Sequence, residues 1–366
     1  MTSLLEDASR SDQAGQRRKF GPRARLLITL LAVPLGLLLV EASLRLRDVH
    51  VQPLAELKGA VTERVDDALM LYENRADGRG VVVGRDPLGG RPTRVVMTTN
   101  ADRFRGPLVP QERTAGLPRV VCLGDSHTFG YAVPDGESWP AHLRGMVSAP
   151  VEVINAGVTA YDTLQEVLWF ERRVDAFEPD VVVLQYFMND TAARGLAHAS
   201  ADPLVTLTHP RREGRVRWLR ERWRTLDLVC DAVFRSRSQR NYATDRTAQH
   251  QDGQPGWKRV KSALLRLRDH CAARERTFLI VLYPYLIEEE GGFASDEAFA
   301  VVRSFCEAEG ITCIDSTVAL LEAGGGQLRV SEVDYHANGI ANRVFAGVVA
   351  RGLAQAGLPF IGDASE

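Results

Sequence analysis

The sequence has few cysteines and almost no net charge, and both shortages exclude classes of protein. Five cysteines among 366 residues, with no Cys-x-x-Cys pair, exclude a disulfide-built domain and a zinc site of the usual spacing. Only Cys306 and Cys313 stay open as a bonded pair, if the compartment is oxidising. The 45 basic and 47 acidic side chains nearly cancel, so we expect no nucleic-acid partner. No Gly-x-Gly-x-x-Gly motif follows the first apolar strand, which excludes a dinucleotide site, and we expect no cofactor or metal.

What the chain does have is one long uncharged run near its N-terminus. Residues 26–40 carry no charge and would form a helix of about 22 Å, shorter than the ~30 Å hydrocarbon core of a bilayer. Extension to residue 46, with Arg45 and Arg47 reaching toward the headgroups, brings the span to about 20 residues. The sequence therefore predicts a signal-anchor transmembrane helix over residues 26–46, after a tail at 1–25.

Two alternatives to the anchor stay open. Val40-Glu41-Ala42 satisfies the small-residue pattern of a signal-peptide cleavage site, and a run this short also suits a buried core helix. Because basic residues precede the run, the positive-inside rule keeps the tail in the cytoplasm. We then expect a single-pass protein of the cell inner membrane, with the rest of the chain facing the periplasm or the outside.

Two kinds of segment come after the apolar run. Residues 47–117 are punctuated by proline and glycine and predict an irregular lead-in, with a short helix over 53–71. Over residues 118–358, apolar runs of strand length alternate with segments of helical periodicity. This alternation predicts an α/β domain whose five-stranded parallel sheet is covered on both faces by helices. The five runs lie at 119–123, 151–155, 181–187, 277–283 and 311–314.

In such a sheet, functional side chains gather beyond the carboxyl ends of the strands. Ser126 follows the first run, Gly157 the second and Asn189 the third. A serine that opens a helix suits a nucleophile, because the amides there favour a developing anion. A glycine lets a backbone N–H approach a ligand, and an asparagine amide donates to an oxyanion. Each residue taken alone fits a turn or a helix cap equally well.

The last helix opens with a base and an acid. His336 stands at a loop-to-helix junction, two positions after Asp334. An imidazole suits a general base, and a neighbouring carboxylate fixes its tautomer. Together with Ser126, Gly157 and Asn189, the pair completes the set of groups that acyl transfer requires.

On these residues the chain resembles the SGNH, or GDSL, hydrolase superfamily over roughly 118–356. The resemblance implies a flavodoxin-like three-layer α/β/α sandwich and hydrolysis of esters by a serine. It further implies that Ser126 is the nucleophile, His336 the base and Asp334 the acid. The oxyanion hole would consist of the backbone amides of Ser126 and Gly157 and the side chain of Asn189.

The chain departs from the family pattern at two positions. Phe187 stands where the third block usually has glycine, and Val333 stands where the fifth block usually has aspartate. Asp334 must therefore act from an Asp-x-His spacing, which resembles membrane-anchored bacterial proteins that acetylate or deacetylate polysaccharides. The resemblance implies an acetyl or short acyl ester on an envelope carbohydrate or lipid as substrate. An O-acyltransferase to a glycan and a catalytically silent binding protein stay open as alternatives.

A basic insertion at residues 192–256 comes after the third strand. It holds twelve arginines against seven acids, together with Trp218 and Trp223. A solvated amphipathic helix explains such a composition. The alternative is a lid whose Arg and Trp side chains meet an anionic glycan or lipid headgroups, because the segment leaves the carboxyl end of a strand.

Overall fold

The computed structural model describes residues 21–47, 55–84, 93–147, 150–192, 217–330 and 334–356. The chain divides into two compact units. The first unit is Met1–Val51 with Gly214–Asp231, and the second is Gln52–Glu213 with Ala232–Glu366.

Helices and strands alternate through most of the described chain. The helices are α1 Pro22–Leu46, α2 Ser126–Phe129, α3 Trp139–Met146, α4 Thr163–Trp169, α5 Arg217–Arg222, α6 Arg224–Gln249, α7 Pro255–Ala272, α8 Asp296–Ala308, α9 Thr317–Glu322 and α10 Gly339–Gln355. The strands are β1 Ala55–Arg64, β2 Tyr72–Gly84, β3 Thr93–Thr98, β4 Arg119–Leu123, β5 Glu152–Asn155, β6 Val181–Tyr186, β7 Thr277–Leu282, β8 Glu288–Glu289, β9 Gly292–Phe293 and β10 Thr312–Asp315.

A parallel sheet in the order β10-β7-β6-β4-β5 forms the centre of the second unit. Its strands are rich in Val, Ile and Leu, and β4 and β6 are buried along their whole length, as expected for a sheet covered on both faces. Right-handed crossovers place α3 and α10 on one face and α4, α7 and α8 on the other. The pairs α3–α10 and α4–α7 accordingly pack together. The prediction of a flavodoxin-like three-layer α/β/α domain is confirmed, including all five strands.

The position of β4 in the sheet determines which loops can meet. Val121 of β4 pairs with Ile154 of β5 on one side and with Val182 of β6 on the other. The strand order changes direction at β4, which opens a crevice at the carboxyl ends of β4, β5 and β6. The segments after Leu123, Asn155 and Tyr186 therefore lie side by side.

The prediction of an irregular lead-in over 47–117, with a helix at 53–71, is wrong over residues 55–64, 72–84 and 93–98, whereas residues 99–117 form neither a helix nor a strand of the sheet. β1, β2 and β3 form an antiparallel sheet there, with Val82 opposite Val95. Leu57, Val61 and Val65 are four residues apart, a spacing that a helix would also align on one face. The segment is a strand because its backbone pairs with β2. The spacing of apolar residues in the sequence does not reveal this pairing.

The first unit contains α1, whose segment Arg25–Leu46 is long and apolar enough to cross a membrane. The large apolar side chains of α1 from Leu26 to Val40 are exposed, as is Leu46, and Leu44 is half-buried. The alternative of a buried core helix therefore finds no support among the described residues. The length and composition of α1 suit a signal anchor and a cleaved signal peptide equally.

The basic insertion is helical in the part that the structure describes. α5 and α6 cover residues 217–249, whereas the start of the insertion, 193–216, lies outside the described residues. That the insertion forms a lid over the site stays a prediction.

Cys306 and Cys313 are free thiols in this structure. A hydrogen bond between the two sulfurs lowers the pKa of Cys306 below its ordinary value. The two side chains are thus neighbours, as their spacing suggested, without a disulfide.

One carboxyl group inside the second unit carries an electrostatic cost. Glu166 of α4 is buried, and neither carboxylate oxygen has a hydrogen-bond partner among the described residues. Burial raises the pKa of Glu166 well above its ordinary value, and the charges of Asp190, Asp125 and Asp162 raise it further. The physical reason is that an anion loses its hydration there and meets other anions.

Replacement of Glu166 by Gln should flatten the pH dependence of stability. Because the folded-state pKa of Glu166 lies above its unfolded-state value, the contribution of this residue to the free energy of unfolding is fully present at low pH and is lost as the pH rises through the folded-state pKa. Glutamine cannot ionise, so Glu166→Gln should gain stability relative to wild type between about pH 5 and about pH 8. Urea unfolding at both pH values measures the difference, with the exposed Glu178→Gln as control. Parallel pH profiles for wild type and Glu166→Gln would contradict the buried, raised-pKa assignment.

Candidate active site

The carboxyl end of β4 turns sharply into α2, and the turn requires glycine. Gly124 has φ +149, and a Cβ there would lie 2.2 Å from Thr128 Oγ1 and 2.6 Å from Gln185 Oε1. Asp125 then caps α2, with its Oδ1 accepting from the His127 backbone N at 2.9 Å. Ser126 is thereby fixed as the first residue of α2, at the crevice beyond β4.

The hydroxyl of Ser126 meets an imidazole from the far end of the chain. Ser126 Oγ and His336 Nε2 are 2.9 Å apart, and His336 Nδ1 lies 2.6 Å from Asp334 Oδ1. The carboxylate partner assigns the ring proton to Nδ1, which leaves Nε2 as the acceptor for the serine hydroxyl. The structure therefore brings together the three residues that the sequence predicted as nucleophile, base and acid.

The Asp-x-His spacing, a departure from the family pattern, works through a local turn. Asp334 Oδ1 also accepts from the backbone N of His336 at 3.1 Å. One carboxylate oxygen therefore holds both the main chain and the ring of the same residue, as in an Asx-turn. The two-residue spacing orients the imidazole without an aspartate at position 333.

The environment of Asp334 favours its anion. Burial raises the pKa of Asp334, but the charge of His336 and hydrogen bonds from its ring and backbone lower it more, and the charge of His127 lowers it further. The net pKa lies below the ordinary value, so Asp334 is ionised at neutral pH. An ionised carboxylate at Nδ1 is what a general-base histidine needs.

Gly157 lies against the last residues of α2, and Asn189 lies beside Asp125, the residue before α2. A Cβ on Gly157 would lie 2.3 Å from the backbone N of Phe129, so only glycine fits this approach. Its amide donates to Asn155 Oδ1 at 3.1 Å. Asn189 Nδ2 donates to Asp125 Oδ2 at 3.4 Å, a long bond to the residue before the serine. Both predicted oxyanion donors thus border the nucleophile turn, and each contacts a protein acceptor here.

Asp190 holds the turn that carries Asn189. Its Oδ2 accepts from Thr163 Oγ1 at 3.1 Å and from the backbone N of Phe187 at 3.3 Å. Phe187, which replaces the usual glycine, is buried and stacks on the ring of His127 at 4.3 Å between centroids. The aromatic side chain therefore packs inside the protein, and Asn189 keeps its place next to Asp125.

Sequence reasoning missed the role of Arg105, which supports α2 from the lead-in. Its guanidinium is fully buried and donates to the carbonyls of Phe129, Gly130 and Val133 and to Asp135. These bonds satisfy the carbonyl end of α2, three to four residues after Ser126. The signal was present as an arginine before Gly106, but its partners are distant in sequence, so a single sequence does not reveal them.

The lead-in sheet also holds the segment after β5. Asn74 Nδ2 donates to the carbonyl of Gly157 at 2.9 Å, and Tyr72 Oη donates to the carbonyl of Thr159 at 2.9 Å. Both donors lie on β2. The segment with the second oxyanion candidate is therefore fixed by a sheet that sequence analysis did not detect.

No group of three or more His, Cys, Asp or Glu residues with the arrangement of a metal site occurs among the described residues. The site combines the Ser126 hydroxyl with the imidazoles of His127 and His336, the carboxylates of Asp125 and Asp334, and the amides of Gly157 and Asn189. This set can hold and move a proton and stabilise an anion.

Comparisons with known proteins place the chain in a family and find similar solved structures. A model of the GDSL-like lipase/acylhydrolase family matches residues 122–344, more than half of the chain. No curated protein matches the chain. Similar solved structures include the acetylxylan esterase Axe2 from Geobacillus stearothermophilus, with 14% identity, coverage of 67% of this chain and 97% of that one, and a TM-score of 0.40. They also include the esterase EstA from Pseudoalteromonas sp., with 13% identity, coverage of 65% and 97%, and a TM-score of 0.40. A lipase/acylhydrolase from Enterococcus faecalis has 15% identity, coverage of 66% and 97%, and a TM-score of 0.40.

Replacement of Arg105 by Met should destabilise the second unit strongly. The change removes a buried cation, the side-chain donor to three carbonyls, and leaves Asp135 with Thr98 as its donor; breaking a buried ion pair in this way typically costs about 3–5 kcal/mol of unfolding free energy. Urea unfolding measures the loss, and Arg79→Met on the exposed part of β2 is the matched control. Equal stability of the two variants would show that Arg105 does not support α2.

Proposed function

The chain belongs to the GDSL-like lipase/acylhydrolase family, and on that premise we propose that it is a serine esterase. The observation that carries the proposal is the hydrogen-bonded series Ser126–His336–Asp334, with 2.9 Å and 2.6 Å between successive partners. We further propose an acetyl or short acyl ester on an envelope carbohydrate or lipid as the substrate class.

In the first half of the reaction, His336 Nε2 takes the proton from Ser126 as Oγ attacks the ester carbonyl carbon. Asp334 stabilises the imidazolium that forms, because its carboxylate is ionised and hydrogen-bonded to Nδ1. The tetrahedral adduct collapses, His336 returns the proton to the leaving alcohol, and an acyl-serine ester remains.

In the second half, His336 deprotonates a water molecule that attacks the acyl-serine carbonyl. The carboxylic acid leaves and Ser126 recovers its proton. If a sugar hydroxyl replaces water in this step, the same residues transfer the acyl group to a glycan. Analysis of the products with an acetylated glycan and an unacetylated acceptor distinguishes hydrolysis from transfer.

Three donors are proposed for the oxyanion: the amides of Ser126 and Gly157 and the side chain of Asn189. The Asn189 amide carries two hydrogens, so its bond to Asp125 does not exhaust its donor capacity. The Gly157 amide must share or exchange its bond to Asn155 when substrate binds. Such donors act on charge that develops only in the transition state.

We also propose that α1 anchors the chain in a membrane, with residues 1–25 in the cytoplasm. The basic residues before α1 and its exposed apolar surface support this orientation. The hydrolase domain would then act on the periplasmic or outer side, where envelope carbohydrates and lipid esters occur.

Replacement of Ser126 by Ala should abolish turnover of p-nitrophenyl acetate, because no other group in the series provides the attacking oxygen. A fluorophosphonate probe should label wild-type protein at Ser126 and leave Ser126→Ala unlabelled, since only an activated serine reacts. Ser304→Ala, at an exposed position of α8, is the control and should match wild type in both assays. Unchanged turnover in Ser126→Ala would refute the assignment, and an unlabelled wild type would favour a catalytically silent protein.

Replacement of Asn189 by Ala should keep the fold and lower kcat about 10²–10³-fold, because one oxyanion donor typically contributes about 2.7–4 kcal/mol to the transition state. Steady-state kinetics with p-nitrophenyl acetate measure the change, and urea unfolding checks that the variant is folded. A folded Asn189→Ala enzyme with wild-type kcat would remove this side chain from the oxyanion hole.

A further inference from the structure

Glu41 is an acidic residue in the otherwise uncharged part of α1, and it is buried. Its relative exposure is 6%, while the apolar side chains before it, from Leu26 to Val40, are exposed. A carboxylate within an apolar spanning helix is costly unless the protein supplies it with partners. The burial of Glu41 therefore points to a specific contact inside the first unit.

The partners of Glu41 are at the beginning of α6. Its carboxylate accepts from the backbone N of Arg224 at 3.1 Å, the backbone N of Thr225 at 2.8 Å and Thr225 Oγ1 at 2.8 Å. Arg45, one turn further along α1, also donates to it at 2.8 Å. Glu41 thus caps the amide end of another helix, where a negative charge is favourable.

Side chains also cap carbonyl ends at this contact. Arg224 Nη1 of α6 donates to the carbonyl of Leu44 near the end of α1 at 3.1 Å. Arg45 of α1 donates to the carbonyl of Arg222, the last residue of α5. Carbonyls at the end of a helix lack intrahelical partners, and these side chains supply donors to them. We call this set the Glu41 clasp: Glu41, Arg45, Arg222, Arg224 and Thr225.

The clasp fixes the depth of α5 and the start of α6 relative to the span. Glu41 precedes the end of α1 by five residues, which corresponds to about 7 Å along the helix axis. Amphipathic helices that lie in a membrane surface sit about 5–10 Å into the boundary between headgroups and acyl chains. With α1 inserted in a membrane as proposed above, the clasp would hold residues 217–229 at the level of that boundary.

The composition of this segment suits the boundary. Trp218 is 63% exposed and Trp223 41% exposed, and Leu219, Leu226 and Val229 are exposed too. Trp223 separates α5 from α6, and two helical hydrogen bonds span this junction, from Trp223 N to the Leu219 carbonyl and from Asp227 N to the Trp223 carbonyl. On a continuous helix these five side chains lie within an arc of about 140°, and Thr225, which contacts Glu41, lies outside it.

We propose that this arc, which we call the Trp face (Trp218, Leu219, Trp223, Leu226 and Val229), lies in the outer lipid–water boundary of the membrane that α1 spans. Tryptophan is enriched at that level, and the exposed Arg222 beside Trp218 places a guanidinium where lipid phosphates accept hydrogen bonds.

The clasp also requires that Glu41 stay in the mature chain, so α1 is an anchor that is not cleaved after Ala42. This inference rests on the proposed membrane insertion of α1 and is independent of the esterase chemistry.

Fluorescence quenching by lipid tests the Trp face in the full chain. The protein is reconstituted into vesicles of phosphatidylcholine and phosphatidylglycerol, with the phosphatidylcholine brominated near the headgroup end or near the tail end of its acyl chains. We expect the shallow bromines to quench emission more than the deep ones. The double variant Trp218→Phe/Trp223→Phe should lose most of this quenching, because Trp139, Trp169 and Trp257 are buried in the core of the second unit.

The clasp is tested in the same vesicles. Glu41→Ala should lose part of the quenching, whereas Glu307→Ala, at an exposed position of α8, should match wild type. Equal quenching of wild type and the double tryptophan variant would overturn the proposal, as would cross-linking of two chains through Cys introduced at Leu226.

Two further measurements separate this inference from the esterase proposal. The intact mass of the membrane-extracted protein should include residues 1–42, and a mature chain that begins after Ala42 would overturn the inference. Turnover of soluble p-nitrophenyl acetate should be the same in all of these variants. Inactive wild-type protein with normal quenching would count against the esterase and leave the Trp face standing.

Discussion

The hydrogen bond between Ser126 Oγ and His336 Nε2 joins the first strand of the parallel sheet to its last helix. Its two ends are 210 residues apart, so it forms only when the sheet, α2 and α10 are all in place. The nucleophile end is fixed by a glycine turn and a capping aspartate, and the base end by an Asx-type turn. Each end is held locally, and the sheet sets the distance between them.

Buried ionisable groups surround this bond. Arg105 satisfies the carbonyls at the end of α2, and Asp125, Asp190 and Glu166 form a group of buried acids close enough to raise the pKa of Glu166 and Asp190. A buried charge is costly unless its partners are well placed. Arg105 has such partners and Glu166 does not, so their effects on stability have opposite signs. The antiparallel sheet β1–β3 belongs to the same support, since β2 holds the carbonyls of Gly157 and Thr159.

The first unit follows the same rule for a buried charge. An apolar helix such as α1 has little reason to contain a carboxylate, and the carboxylate of Glu41 is met by two helix amides, a hydroxyl and a guanidinium. These donors tie α1 to α6 and make the apolar span part of a folded unit. The exposed tryptophans beside the clasp are the side chains that such a unit would present to lipid headgroups.

The sequence alone determined the five parallel strands, because buried parallel strands appear as continuous apolar runs, and it identified Ser126, Asn189, Asp334 and His336 through short motifs at strand and helix ends. It did not predict β1, β2 and β3, because these strands contain many polar residues and are defined by their pairing with one another. It also did not predict that Arg105 and Glu41 are buried. Those depend on contacts between residues 24 to 184 positions apart. Short sequence patterns are enough to predict a motif or a strand. The burial of a charged side chain, and the donors that stabilise it there, arise only when distant parts of the chain come together in the fold.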